Sequence, residues 1–395
     1  MAERTISETK NIGLRGIPVA DTKISAIDGE RGQLIYRGFN IVDLVRHSTF
    51  EEVAYLLVFG DLPNRQQLES FQESLAEERD IPHALLQSME VRPKSSHPMD
   101  VLQSSVAMLA DHDPQVRVME KEADLAKAKR LIAKIPTIVA VWDRIRKGHS
   151  PVKPDPSLGH AANFLYLLNG KIPDPGTAKD FDICLVLHAD HTFNASTFAA
   201  REVSSTRAHM YASVAAALGA LSGELHGGAN AQVMEMLLGI GEVDNVRPWI
   251  IGHLKAGERV MGMGHAVYKT DDPRATVLRS ISERLGKRIR ESKWYEMTRL
   301  IEMGTKEEFK KSKGKEIYPN VDLYSASVYH MMGIDRDLFT PVFAISRISG
   351  WSAHIIEEKY AEAQPKPALY RPKADYIGTY CGPEACTYTP IENRQ

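Results

Sequence analysis

The sequence contains little cysteine. Its 395 residues include only Cys184, Cys381 and Cys386. These three form neither a CxxC pair nor a Cys/His spacing typical of a zinc module. So few thiols are typical of a protein from a reducing compartment.

The sequence also lacks an excess of charge of one sign and a long apolar run. The formal net charge is −2, so no overall attraction to nucleic acid or to an anionic membrane is expected. The most apolar stretch, 212–221, is too short to span a bilayer. The first residues, MAERTISETKNIG, include acidic side chains and have no apolar core, unlike a secretory or transit peptide. We therefore predict a cytoplasmic protein without nucleic-acid or membrane partners, in which local cations hold any anionic ligand.

Apolar residues at helical spacing occur along most of the chain and predict a mainly α protein. One exception is 23–36, where two short strands around Gly29 and Gly32 predict a β-hairpin. A capping-box pattern at Ser48-Thr49-Phe50-Glu51 predicts the start of a helix. Further helices are predicted at 65–79 and 119–147, both on the surface, and as a pair within 181–221. The proline-rich segments 149–159 and 171–176 are either a domain boundary or surface loops.

Two histidine clusters are candidate sites. In LHADHTFNAST (187–197), His188 and His191 share a helix face and could bind a metal together with Asp190. A polar helix face or a helix end is the favoured explanation of that cluster taken alone. In LHGGAN, His226 precedes Gly227 and Gly228. These glycines either form a turn or leave room for a ligand beside the imidazole.

Further candidates follow in the second half of the chain. RVMGMGHAVYKTDDPR (259–274) contains His265 between glycine and alanine and ends at Arg274, a cation that could grip a carboxylate. Its GMG lacks the third glycine of a dinucleotide-binding loop. Asp322 follows Pro319 and Asn320, and Arg347 and Arg371 lie in apolar surroundings that require an anionic partner.

The ordered set HADH, LHGGAN, GHAVYKTDDPR, PNVD, SR and RPK resembles the citrate synthase family, which includes the 2-methylcitrate synthases. The resemblance extends from about residue 13 to 371. It implies a mainly α, two-domain citrate synthase fold with a small N-terminal β-hairpin. The large helical domain would comprise 1–224 and 323–395, and a mobile small domain would comprise 225–322.

The resemblance also implies the site residues and the reaction. His226, His265 and Asp322 match the catalytic triad of a condensation between acetyl-CoA and oxaloacetate, in which Asp322 removes a methyl proton. No cofactor or metal is implied. The chain would form a homodimer in which Arg371 reaches the partner's site. The matched oxaloacetate-binding residues are His188, His191, Arg274, Arg347 and Arg371. The matched CoA-binding residues are Arg259, Val260, Met261, Gly262, Met263, Gly264, Lys313 and Lys315.

Three alternatives stay open on the sequence. A 2-methylcitrate synthase would use propionyl-CoA, and one methylene shifts such a preference only about 10- to 200-fold. A metal-dependent hydrolase would use His188, Asp190 and His191, and could include His226. A non-catalytic CoA-binding descendant is disfavoured because all three triad positions are filled.

Overall fold

The computed structural model describes residues 12–14, 16–374 and 388–394. The chain is mainly α, as the sequence predicts. Cys381 and Cys386 lie outside the described residues, whereas Cys184 is a buried free thiol. The α-helices of the described residues are α1 (Ile41–His47), α2 (Phe50–Phe59), α3 (Arg65–Glu77), α4 (His83–Glu90), α5 (Pro98–Leu109), α6 (Lys121–Arg146), α7 (His160–Asn169), α8 (Pro175–His188), α9 (Ala195–Ser205), α10 (Met210–Ser222), α11 (Ala229–Ile240), α12 (Val246–Lys255), α13 (Pro273–Ile289), α14 (Lys293–Lys313), α15 (Val321–Met331) and α16 (Phe339–Lys359).

The predicted hairpin is present, and it carries a short third strand that the sequence did not reveal. Strands β1 (Ser25–Asp28), β2 (Gln33–Tyr36) and β3 (Phe39–Asn40) form an antiparallel sheet in the order β1-β2-β3. Ser25 lies opposite Tyr36, and Asp28 lies opposite Gln33. Directly opposed residues in an antiparallel pair point to the same face, so Ser25 and Tyr36 act on the same part of the molecule.

Helix α2 begins beside the predicted capping box. Thr49 is its N-cap, and the side chain of Thr49 accepts a hydrogen bond from the Glu52 amide at 3.3 Å. The two proline-rich segments lead into α7 and α8, so both are connections between helices. No helix of the described residues is long and apolar enough to cross a membrane.

The prediction of a surface helix at 119–147 is wrong. Helix α6 occupies this span but is largely buried, packing against α3, α5, α7 and α16. Its charged residues misled the prediction because several pair inside the protein. Lys127 Nζ lies 2.9 Å from Asp124 Oδ1, and Lys359 of α16 lies 2.7 Å from Asp124 Oδ2. Buried charges are tolerated when they are paired in this way.

The predicted pair of helices within 181–221 is in fact three. Helix α8 ends at His188, and the intervening α9 begins after Asn194, whose side chain caps the Thr197 amide at 3.1 Å. Helix α10 buries Met210, Val214, Leu218 and Leu221 as predicted. Helix α16 is buried along most of its length and packs against α2, α6, α8, α9 and α10. Helix α16 lies beneath the loop 189–194.

Candidate active site

One cavity of about 470 Å³ gathers seven of the predicted site residues from distant parts of the sequence. Its wall comes from the loop between α8 and α9, the turn between α10 and α11, the loop before α13, the start of α15 and the helix α16. The seven predicted residues in its lining are His191, His226, Gly264, His265, Arg274, Asp322 and Arg347.

His226 is held as a neutral donor by the backbone. The Ser196 amide donates to His226 Nε2 at 3.2 Å, and Ser196 Oγ lies 2.8 Å from the same nitrogen. A backbone N–H can only donate, so Nε2 accepts and the proton of the neutral ring resides on Nδ1. Burial lowers the pKa of His226 to about 4, with a smaller contribution from Arg347. The ring is therefore uncharged near pH 7 and can donate from Nδ1.

His265 is fixed in the opposite tautomer by the same means. Its Nδ1 accepts from the amides of Val267 at 2.9 Å and Tyr268 at 3.1 Å. The proton of this ring therefore resides on Nε2. Burial and then Arg274 lower the pKa of His265 to about 4. The site thus contains two neutral imidazoles, each with a proton-bearing nitrogen determined by the main chain.

Asp322 is the carboxylate of the cavity. It occupies the first turn of α15, where its amide donates to Asn320 Oδ1 at 3.0 Å. The same Asn320 side chain donates to the Gly264 carbonyl at 2.9 Å, which ties the segment before α15 to the segment before His265. Burial raises the pKa of Asp322 to about 6, and Arg274 opposes this rise. A carboxylate of this pKa is a stronger base than an exposed aspartate.

Two buried arginines supply positive charge. Arg274, 3% exposed, binds Asp272 through Nε at 3.0 Å and through Nη2 at 2.8 Å. Burial lowers the pKa of Arg274, but Asp272 more than offsets this and keeps the group charged. Arg347, 1% exposed, donates from Nε to the His188 carbonyl at 2.7 Å and lies over the Phe343 ring. Burial lowers the pKa of Arg347 to about 10, so it is still protonated at neutral pH.

The three residues of the HADH segment do not converge on one point. His191 lines the cavity, and its ring centroid lies 5.6 Å from that of His265. Asp190 instead pairs with Ser25 and with His354 Nε2, the latter at 3.3 Å. The described residues contain no group of three or more His, Cys, Asp or Glu residues that could hold a metal. The arrangement proposed for a metal-dependent hydrolase is therefore not formed by His188, Asp190 and His191.

His188 lies behind the cavity wall. It is fully buried, its Nδ1 lies 2.7 Å from the Cys184 carbonyl, and its own carbonyl holds Arg347. Burial lowers the pKa of His188 to about 3. The residue therefore supports Arg347 from behind, and a direct contact of its ring with oxaloacetate stays a prediction.

Arg371 lies away from this cavity. It is exposed in the segment after Tyr370, whose ring packs on Phe198 with centroids 5.6 Å apart. Within a single chain the structure does not bring Arg371 to the other arginines. That Arg371 contributes to a partner's site stays a prediction.

The segment predicted to bind CoA lies between the main cavity and a smaller one of about 190 Å³. Gly264 lines the main cavity, and its amide donates to the Tyr318 carbonyl at 2.7 Å. Met263 lines the smaller cavity and pairs with Pro319. Other predicted residues in the smaller cavity's lining are Arg259, Val260 and Lys313. Met261, Gly262 and Lys315 line neither cavity, so their role stays a prediction.

The two glycines after His226 have different roles. A β-carbon added at Gly227 would overlap the Leu221 carbonyl oxygen, whereas one added at Gly228 would meet no atom within 4 Å. Gly227 therefore permits a close backbone approach in the turn between α10 and α11. Gly227 also lines the cavity and Gly228 faces open space, so room for a ligand beside the imidazole stays a prediction.

Several important residues escaped the sequence reasoning. Ser196 holds the His226 ring by hydrogen bonds, the Asn320 side chain accepts from the Asp322 amide, and Asp272 pairs with Arg274. The pattern Asp-Asp-Pro-Arg before a helix is a readable N-cap signal, since Asp272 precedes a proline at the first helical position. The Ser196 amide belongs to the main chain, so its contact with His226 cannot be recognised from the type of side chain at that position.

Comparison with known proteins agrees with this geometry. A family described as "Citrate synthase, C-terminal domain" matches residues 13–373. The citrate synthase of Haloferax volcanii is 45% identical over 387 residues, which cover 97% of this chain and 98% of that protein. The 2-methylcitrate synthase of Mycobacterium tuberculosis is 38% identical over 386 residues, covering 97% and 94%.

Solved structures show the same fold. The citrate synthase of Pyrobaculum aerophilum superposes with a TM-score of 0.89 at 38% identity, covering 97% of this chain and 95% of that chain. A citrate synthase of Thermoplasma acidophilum in complex with carboxymethyl coenzyme A and oxaloacetate gives 0.88 at 32% identity, covering 98% and 100%. Fold and relatives define an enzyme that transfers an acyl group in a condensation. The chain belongs to the citrate synthase family.

Proposed function

We propose that this chain condenses acetyl-CoA with oxaloacetate and hydrolyses the resulting thioester to citrate and CoA. Asp322 takes a proton from the acetyl methyl group, and the electrons of that C–H bond form an enolate. The Nδ1–H of His226 donates to the thioester oxygen on which charge develops. The Nε2–H of His265 donates to the ketone of oxaloacetate, which the enolate carbon attacks. Water then cleaves the thioester and releases CoA.

The observation that carries this proposal is that a single cavity combines one carboxylate of raised pKa with two neutral imidazoles. A methyl group beside a thioester is a weak acid, so its base benefits from the pKa of about 6 that burial gives Asp322. A neutral imidazole is also the better match for a developing enolate, since an imidazolium would be too acidic a partner. The pKa values of about 4 keep both His226 and His265 neutral.

The remaining predicted contacts complete the proposal. Arg274 and Arg347, with His191, would hold the two carboxylates of oxaloacetate, and bidentate pairing with arginine suits that task. CoA would follow 259–264 and place its phosphates near Lys313 and Lys315. The small domain, 225–322, would close over the substrates, and a homodimer would supply the partner's Arg371. The chemistry uses side chains and backbone amides only, with no metal or cofactor, in the cytoplasm.

A second candidate is 2-methylcitrate synthesis from propionyl-CoA. The cavity lining includes an apolar wall of Leu221, Leu225, Val321 and Phe343, which would accept a further methylene. His188 is fully buried and is not part of this lining. We infer that this apolar wall would set the preference between the two acyl groups.

Steady-state assays with the two thioesters test the proposal. We expect a higher kcat/KM for acetyl-CoA than for propionyl-CoA, with citrate as the product, and a clear propionyl preference would favour the second candidate. Asp322→Asn should lower turnover by at least about a thousandfold, since the base is lost. Calorimetry should show nearly unchanged oxaloacetate binding by that variant. Substantial turnover by Asp322→Asn would contradict the assignment of the base.

A further inference from the structure

We propose that the hairpin of β1 and β2 is a positioning element, which sets the places of His191 and His265 relative to each other. The base of the hairpin holds the loop 189–192, and its tip holds the loop 265–271. The two loops otherwise belong to distant parts of the chain. This inference rests on the proposed function, because its consequence for catalysis assumes that both histidines meet oxaloacetate.

The base of the hairpin contacts the loop that presents His191. The Ser25 hydroxyl donates to Asp190 Oδ2 and accepts from the Thr192 amide at 3.1 Å. On the opposite strand, the Tyr36 hydroxyl donates to the Asp190 carbonyl at 2.8 Å. Ser25 and Tyr36 are paired across the two strands. One pair of side chains thus fixes the residues on both sides of His191.

The backbone of this loop requires such support. Thr192 has a φ of +51°, and a β-branched side chain in the left-handed region is strained. Its amide is bound on one side by Ser25 and on the other by Asp190 Oδ2 at 3.1 Å. Asp190 is in turn held by His354 of α16. Hydrogen bonds from the hairpin and from α16 therefore stabilise a conformation that the sequence alone disfavours.

The tip of the hairpin contacts the loop that presents His265. The Lys269 amide donates to the Gly29 carbonyl at 2.9 Å. Gly29 lies so close to this loop that an added β-carbon would overlap the Val267 carbonyl oxygen. The amide of the same Val267 donates to His265 Nδ1 at 2.9 Å. Gly29 therefore contacts the residue that fixes the tautomer of His265.

The hairpin acts as a spacer between the two loops. Ser25 and Gly29 are four residues apart on an extended strand, which separates them by about 13 Å. The antiparallel ladder from Ser25–Tyr36 to Asp28–Gln33 stiffens that span. The rings of His191 and His265 meet edge to face at 5.6 Å between the two attachment points. A short sheet at the edge of a helical protein thereby sets a distance within the active site.

Gly29→Ala tests this role. Gly29 is not among the glycines with positive φ, so alanine disturbs only the contact with Val267. We expect kcat/KM for oxaloacetate to fall roughly 10- to 100-fold, as for other small misplacements of a catalytic group. Hydrogen–deuterium exchange of peptides within 265–271 should become faster. The acid limb of the pH profile should keep its position, because Asp322 does not contact the hairpin.

Matched variants separate positioning from general destabilisation. Gly252→Ala in α12 adds a β-carbon that meets nothing within 4 Å, and we expect it to behave as the unmodified protein. Ser25→Ala should speed exchange within 188–194 while leaving 265–271 unchanged. The exchange measurement needs no turnover, so it tests the hairpin contacts even if the unmodified chain proves not to catalyse the condensation.

Two results would overturn the inference. One is a Gly29→Ala protein with unchanged turnover and unchanged exchange at 265–271. The other is a uniform rise of exchange over the whole chain in both Gly29→Ala and Ser25→Ala, together with a lowered melting temperature. That second pattern would make the hairpin a contributor to overall stability only.

Discussion

The two donor imidazoles owe their protonation state to main-chain amides. Ser196 donates to His226 Nε2, and Val267 and Tyr268 donate to His265 Nδ1. An amide cannot change its role with pH, so it orients each ring more permanently than a carboxylate would. A carboxylate beside either ring would also raise its pKa. The cavity therefore keeps both rings neutral and also fixes which nitrogen of each ring donates a hydrogen bond.

The pH dependence of the reaction follows from Asp322. Its pKa is raised from 3.8 to about 6, and only the ionised form can accept a proton. As the pH falls through 6 the ionised fraction falls, so kcat/KM should be about tenfold lower at pH 5 than on its plateau. His226 and His265 are not protonated in this range, since their pKa values are about 4.

Measurement of kcat/KM for acetyl-CoA between pH 4.5 and 9 checks this expectation. Asp322→Glu serves as the comparison, because any remaining activity should retain an acid limb. A plateau that extended unchanged down to about pH 4.5 would show that burial does not raise the pKa of the base. In that case, protonation of His226 and His265 would be the remaining source of pH dependence among these three groups.

At the scale of the residue, the sequence identifies the reactive groups but not their tautomers or their hydrogen-bond partners. His226, His265, Asp322, Arg274 and Arg347 could be found because their neighbouring residues form specific motifs, and the structure brings all five into one cavity. The tautomers could not be found, because a backbone donor has no signature in sequence. The partnership of Arg274 with Asp272 was missed although both lie in one motif.

At the scale of elements, α16 supports the loop that carries His191. Gly350 of this helix lies against the loop so closely that an added β-carbon would overlap the Ala189 carbonyl oxygen and Asp190 Oδ1. The Gly350 amide also lies 3.1 Å from that carbonyl. The helix and the loop can approach only because position 350 has no side chain.

Gly350→Ala should therefore destabilise the protein and impair the site together. Forcing an extra carbon into a packed contact costs about 1–3 kcal/mol, and urea unfolding measures this loss. Gly239→Ala in α11 is the control, since an added β-carbon there meets nothing within 4 Å and alanine should add up to about 1 kcal/mol of stability. Equal stability of the two variants would contradict the packing argument.

The positions of helices along the chain could be predicted, but whether a helix is buried or exposed could not always be predicted. The apolar spacing located α6 within two residues, but its charged face suggested solvent because the ion pairs of Asp124 with Lys127 and Lys359 were invisible. Helix α9 was missed as a separate element although Asn194 is a good N-cap residue. Pairing across the core and the break before Asn194 depend on tertiary contacts, which a local pattern does not encode.

At the scale of the whole molecule, the proposed homodimer assigns Arg371 to the partner's site. The residue is exposed and lies outside the main cavity of its own chain. If it serves a partner, mixing two inactive variants should restore activity. A dimer of one Arg371→Ala chain and one Asp322→Asn chain would contain one complete site and one site with both defects.

The mixing experiment gives a definite number. When the two variants are unfolded and refolded together in equal amounts, about half of the dimers are mixed and each has one intact site of two. The recovered activity should then approach about a quarter of that of the unmodified protein. Refolded single variants are the controls. If Arg371 serves its own chain, the mixture should be no more active than the average of those controls.

The pairing of Arg274 with Asp272 bears on how long the product stays bound. In the proposed reaction two carboxylates enter with oxaloacetate, and citrate leaves with three. Two uncompensated buried arginines would retain the more highly charged molecule and slow each cycle at its last step. Asp272 already occupies two nitrogens of Arg274 and is available to reclaim them. In the proposed reaction, this carboxylate would therefore shorten the residence time of citrate and limit inhibition by the product.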